Sequence, residues 1–121
     1  MKSGIAILAA AGAMLAAFPA QAQTAAQGAT VFKTKCGICH SVEPGKKGVG
    51  PNLHGIVGQQ AGAVPGYAFS PAMKKAGKWT PERLDAYLAN PKATVPGNKM
   101  TFAGLPKPED RAAVIAFLKA N

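Results

Sequence analysis

The chain has 121 residues, with 14 lysines and arginines against 5 acidic side chains and a formal net charge of +9. That length supports one small domain with little core to spare, and the charge favours acidic partners or polyanions. Nucleic acid is a poor candidate, because the lysines are scattered and no recognised binding motif accompanies them.

The first residues read as a targeting segment. Met1-Lys2 is a short positive start, Ile5 to Phe18 is apolar, and Ala20-Gln21-Ala22 has the form of an A-x-A cleavage site. The apolar run falls short of the roughly 20 residues that a membrane span needs, so removal is expected rather than anchoring. Residues 1–22 are therefore assigned to a secretory signal and residues 23–121 to the domain. Loss of Lys2 takes the charge to +8. The expected location is the periplasm, without stable membrane insertion.

Thr24 to Lys35 reads as a helix, with Gly28 and Phe32 four apart on one face. A glycine inside a helix costs about 1 kcal/mol against alanine. Gly28 is thus either a site of close packing or a weak spot near a fraying end.

Cys36-Gly37-Ile38-Cys39-His40 follows directly. Two thiols three positions apart with a histidine next in line form the attachment signature of c-type haem. Each sulfur can form a thioether to one vinyl group, and the adjacent imidazole can then reach the iron. Three other readings compete: a disulfide, a thioredoxin-type redox pair, and zinc. The redox pair wants a βαβ pattern that the sequence lacks. Zinc wants four ligands, and beyond this motif there are only His54 and scattered acids. Haem fits the pattern best, and covalent attachment outside the cytoplasm agrees with export.

Ser41 to Gly66 is glycine-rich and aperiodic, and reads as a loop. Within Gly50-Pro51-Asn52-Leu53-His54-Gly55, the Pro51 carbonyl could accept a hydrogen bond from a metal-bound histidine, or Pro51 could be an ordinary turn proline. His54 reads as a turn or surface histidine.

Ser70-Pro71 opens a short helix to about Gly77 that contains Met73, and Thr80-Pro81 opens another through about Leu88, closed by Asn90-Pro91. Leu84, Tyr87 and Leu88 form its apolar face. Glu82 and Asp85 read as a solvated edge beside Arg83, not a catalytic pair.

Pro96 to Gly104 is too rich in turn residues for a helix and lacks strand alternation, so it is expected to loop. Its Met100 offers a soft thioether that suits haem iron, and together with the haem motif it is the candidate sixth ligand. Pro108-Glu109-Asp110 begins the last helix, with acids matching the helix dipole and Val114, Ile115, Phe117 and Leu118 on the buried side. No repeat or second domain is evident. The class is all-α.

Taken together, Cys36 to His40, Gly50 to Gly55, Trp79, Tyr87-Leu88-Ala89-Asn90-Pro91 and Pro96 to Gly104 closely resemble class I cytochrome c, especially its mitochondrial-type branch and related small bacterial carriers. The resemblance runs over essentially the whole of residues 23–121. It implies a cytochrome c fold of about four short helices around one haem c, held by Cys36 and Cys39, with His40 and Met100 as axial ligands. It further implies that Pro51 accepts from His40, that Trp79 donates to a propionate, that Tyr87 lies near the Met100 sulfur, and that Phe102 covers the haem face. Gly28 and Phe32 would meet Val114 and Phe117 where the end helices cross. Four positions depart from the pattern: Gln59 replaces an arginine, Phe69 a tyrosine, Met73 an asparagine and Asn98 a threonine. All four belong to propionate or water hydrogen bonding in the family, so they bear on the potential and not on ligation.

The expected function is a soluble monomeric carrier of single electrons with no catalytic residues. Six-coordinate iron leaves no open position for substrate. Lys35, Lys47, Lys92, Lys99 and Lys107 lie beside the haem segments and are expected to steer the acidic faces of redox partners: a membrane oxidoreductase complex, an oxidase, a reaction centre or a periplasmic dehydrogenase. The alternative is a c-type haem peroxidase or gas-binding sensor with a displaceable sixth ligand.

Overall fold

The structure, a computed structural model, describes Gly12 and residues 20–121, with side chains from Thr24 onward. Apart from Gly12, the apolar run Ile5–Phe18 lies outside the described residues. The described helices are α1 (Ala20–Lys35), α2 (Pro71–Lys74), α3 (Pro81–Ala89), α4 (Pro91–Thr94) and α5 (Pro108–Lys119). No strand appears among the described residues, only an isolated antiparallel bridge between Gln60 and Lys78.

Four of these helices open on proline, which fixes a helical φ where an N–H would have no partner anyway. In three of them the preceding side chain caps the turn. Ser70, Thr80 and Asn90 accept from the backbone N–H of Met73, Arg83 and Ala93 at 3.1, 3.2 and 3.1 Å. α5 lacks a side-chain cap at Lys107 and has Glu109 and Asp110 in its first turn instead.

The count of five exceeds the expected four because of Asn90. The pair Asn90-Pro91 ends α3, as the sequence suggests, but Asn90 is also the N-cap of the one-turn helix α4. Proline cannot extend one helix yet is well suited to start the next. α1 begins at Ala20, ahead of the expected Thr24, and α2 stops at Lys74 with Lys75 as its C-cap, short of Gly77.

α1 and α5 cross at Gly28. A Cβ there would overlap the Ala113 carbonyl oxygen and come within 2.8 Å of Phe117 Cβ, so close packing explains this glycine. Phe32 continues the contact one turn later, with its ring centroid 5.1 Å from that of Phe117. Ala113, not Val114, lies over Gly28. Val114 is 1% exposed and turns to the interior instead.

α3 is tied to α5 by Arg111, whose Nε donates to Asp85 Oδ1 at 2.8 Å. The same guanidinium donates from Nη1 to the Leu105 and Pro106 carbonyls at 2.8 and 3.1 Å. Asp85 is therefore a structural anchor and not only a solvated edge.

Residues 41–66 contain no helix, as expected, and are held by local bonds. Asn52 Nδ2 donates to the Glu43 and Lys46 carbonyls at 2.6 and 2.9 Å, while Asn52 Oδ1 accepts from His54 N at 2.8 Å. Further on, Gly58 N donates to Trp79 O and Trp79 N to Gln59 O, both at 2.8 Å. These bonds bring the loop against the start of α3.

Candidate functional site

The site begins where α1 ends. The amides of Cys36 and Gly37 both donate to Phe32 O at 2.8 Å, and His40 N donates to Cys36 O at 2.9 Å. The helical sense thus persists into the motif and sets the two thiols and the imidazole on one tight turn. Both cysteines are free and half-buried. Burial pushes the Cys36 thiol up to about 11, and neighbouring Cys39 adds to the rise. A thioredoxin-type pair needs a thiol held low, so this environment is the opposite of what that reading requires. Among the described residues no group of three or more His, Cys, Asp or Glu is placed to hold a metal ion, which removes the support for zinc.

His40 is oriented by the loop that follows. Its Nδ1 lies 2.8 Å from the Pro51 carbonyl oxygen. A carbonyl can only accept, so Nδ1 carries the hydrogen and Nε2 is left with its lone pair. Burial lowers the pKa of the ring, and the bond to Pro51 offsets part of that shift. The result is a neutral imidazole, the form that binds metal. Gly50 backs the ring: a Cβ at this position would lie 2.7 Å from His40 Cε1 and 3.0 Å from Nδ1. The sequence motif includes Gly50 but gives it no role of its own; the contact with His40 supplies one.

Met100 approaches from the loop after α4. Tyr87 Oη donates to its sulfur at 3.9 Å. Burial pushes the Tyr87 hydroxyl up to about 12, with Tyr67 contributing, so it stays protonated as a donor. Trp79 packs tilted against Tyr87 at a centroid distance of 4.8 Å, which helps hold the phenol on the apolar face of α3. Lys99 Nζ donates to the Ala68 carbonyl at 2.8 Å and so links the Met100 loop to the loop before α2.

These elements enclose a cavity of about 320 Å³, and Cys36, Cys39, His40, Pro51, Trp79, Tyr87, Met100 and Phe102 all line it. Every residue expected to hold or surround a haem is thereby brought to one place. The rest of the wall is largely apolar, from Leu53, Ile56, Leu84, Leu88, Val114 and Leu118. Tyr67 and Ser70 also face it; the sequence marks Ser70 only as a helix cap and Tyr67 not at all.

Three of the four departures differ in place. Gln59 is exposed and absent from the cavity wall, Phe69 lines it and packs edge-on to Tyr67 at 4.7 Å, and Met73 is buried on the wall. The fourth, Asn98, does not line the cavity; it bonds to the backbone of its own loop. Of the five lysines, Lys35 and Lys99 lie at the cavity and Lys47 lines an adjacent groove beside Cys39. Lys92 lies on α4 and Lys107 before α5, and neither borders the cavity. His54 is exposed on a turn.

The family model for cytochrome c matches residues 25–121. The chain belongs to the cytochrome c family.

Among its relatives, cytochrome c2 iso-2 of Magnetospirillum fulvum is 55% identical over 86 residues, covering 70% of this chain and 90% of that protein. The cytochrome c-type cyt cy of Rhodobacter capsulatus is 53% identical over 88 residues, covering 72% of this chain, and this chain spans 44% of its length. In structure, cytochrome cH from Methylobacterium extorquens superposes with a TM-score of 0.75 at 46% identity, covering 80% of this chain and 98% of that one. The fold is that of cytochrome c, and the family's function is electron transport by a covalently bound haem c. The residues here fit that group: two free thiols on one turn, a neutral imidazole with Nε2 available and a thioether line one apolar cavity.

Proposed function

We propose that this chain is a periplasmic carrier of single electrons whose haem is bound through Cys36 and Cys39, with His40 and Met100 as axial ligands. The observation that carries the reading is the opening of those four side chains onto one cavity. When bound, the haem supplies a reversible one-electron couple.

The chain's residues set the conditions for that couple. Pro51 holds the His40 ring by its carbonyl and raises its basicity, while Gly50 leaves the ring room to sit flat. Tyr87 donates to the Met100 sulfur and withdraws electron density from it. Trp79, Tyr67 and Ser70 offer polar hydrogens that propionate carboxylates need in a largely apolar wall. Phe102 contributes bulk that excludes water.

Transfer to partners requires encounter more than chemistry. With a charge of +8 after removal of residues 1–22, acidic surfaces are the natural partners. Lys35, Lys99 and Lys47 border the cavity or the groove beside it and are assigned to docking, with Lys92 and Lys107 as more distant contributors. No helix among the described residues is long and apolar enough to cross a membrane.

The test is potentiometric. Protein expressed with export and haem attachment should titrate as a single reversible one-electron couple, and its haem should stay with the chain on denaturation. Loss of covalent haem only when both Cys36 and Cys39 are replaced by alanine supports the assignment. Haem extracted from the unmodified chain by acidic solvent contradicts it.

A further inference from the structure

Asn98 is the departure from the family pattern that the cavity does not explain. Its side chain makes three hydrogen bonds, using both amide hydrogens and the carbonyl oxygen. Nδ2 donates to the carbonyls of Pro91 and Val95, each at 2.9 Å, and Oδ1 accepts from Met100 N at 2.9 Å. The Asn98 backbone adds a bond from its N–H to Val95 O at 3.1 Å. Pro91 and Val95, which receive these bonds, are both buried.

The arrangement ties the loop of Met100 back to α4. Pro91 is the first residue of α4 and its carbonyl also receives Val95 N. Met100 belongs to a loop with no regular structure, whose residues Pro96, Gly97 and Lys99 are exposed. Asn98 spans the two. From this geometry we infer that Asn98 is a positioning residue for Met100: its amide fixes the loop on α4 and holds the Met100 backbone so that the thioether stays in the cavity.

Threonine, the family residue implied at this position, cannot do the same work. A hydroxyl has one hydrogen to donate, so it can serve Pro91 or Val95 but not both, and it must still accept from Met100 N. The asparagine amide has two hydrogens and a carbonyl in a fixed plane, which matches three partners at once. Lys99 and Tyr87 restrain the same loop from other sides, to Ala68 and at the sulfur, but neither bonds the Met100 backbone.

This inference rests on Met100 being the sixth ligand, and the experiment separates the two. Holoprotein is prepared as wild type and as Asn98→Thr, Asn98→Ala and Met100→Ala. Each is measured for the near-red ferric band of iron–thioether bonding, for the affinity of added imidazole, and for helix content against denaturant. Wild type should show the band and Met100→Ala should lack it; a wild type without the band overturns the ligand reading itself. With the band present, Asn98→Thr should bind imidazole about fivefold more tightly and Asn98→Ala about a hundredfold more tightly, as expected for one and then three lost bonds of ordinary strength. Helix unfolding should shift less than imidazole affinity, because the lost bonds lie on the loop. If Asn98→Ala does not fold, Asn98→Thr carries the test. Imidazole affinities within twofold of wild type in the folded variants overturn the positioning role, as does a loss of global stability with no change in imidazole affinity or band.

Discussion

The Pro51 carbonyl oxygen accepts from His40 Nδ1 at 2.8 Å, and Gly50, the residue before it, backs the same ring. One short segment therefore sets both the tautomer and the position of the imidazole. The spacing leaves no room for a side chain at residue 50, where a Cβ would stand 2.7 Å from His40 Cε1.

Gly50→Ala should push the ring away from Pro51 and weaken that bond. A weaker bond makes the imidazole less basic, disfavours the ferric state and raises the reduction potential. Loss of an ordinary hydrogen bond, about 1 kcal/mol, corresponds to a shift of about 40 mV for one electron. Potentiometric titration against wild type checks the sign and the size; a fall in potential would count against this role for the segment.

Two methionines, Met73 and Met100, line the cavity and have different surroundings. Met73 is a buried wall residue on α2, whereas Met100 receives the Tyr87 hydroxyl. Met73→Leu should keep the near-red ferric band and cost less than about 1.5 kcal/mol of stability, since the volumes are similar. Met100→Leu should abolish the band. Absorption spectra and denaturant unfolding of the two variants decide between them.

Gly28→Ala should be destabilising despite the better helix propensity of alanine. The gain of about 1 kcal/mol is outweighed by overlap with the Ala113 carbonyl, a backbone atom that cannot turn aside. Overpacking of this kind costs about 1–3 kcal/mol or more. Denaturant titration of holoprotein should show a lower midpoint, and an unchanged midpoint would mean that α1 and α5 do not cross as closely as described.

Charge reversal should rank the lysines by their distance from the cavity. Lys35→Glu should slow association with an acidic redox partner at low salt by about tenfold, and Lys92→Glu by much less. Stopped-flow rates over a range of ionic strength give the comparison, and the gap between the two variants should close as salt is raised. Equal effects at the two positions would remove the cavity edge as the docking centre.

Much of this was legible in the sequence because short motifs place chemistry directly. The turn Cys36 to His40, the proline-led helix starts and the Gly28–Phe32 face all appear in the structure where their residue types put them. What escaped was set by contacts distant in sequence. Whether Pro51 served as a turn or as an acceptor could be settled only by where His40 came to lie. Asp85 pairs with Arg111, 26 positions away, and no local pattern marks that pair. Asn90 reads as a stop because proline follows it, although the same pair can equally start a helix, as it does in α4. Asn98 was recognised as a departure, yet its three bonds depend on the path of the chain between Pro91 and Met100.

Ligation by His40 and Met100, as proposed, leaves the iron no free position. The most direct measurement is the visible spectrum of purified holoprotein, first ferric and then reduced under carbon monoxide. Ligation by both side chains gives a weak near-red ferric band and no carbon monoxide shift. An absent band with a ready shift would contradict it and would favour a gas-binding or peroxidase-like protein.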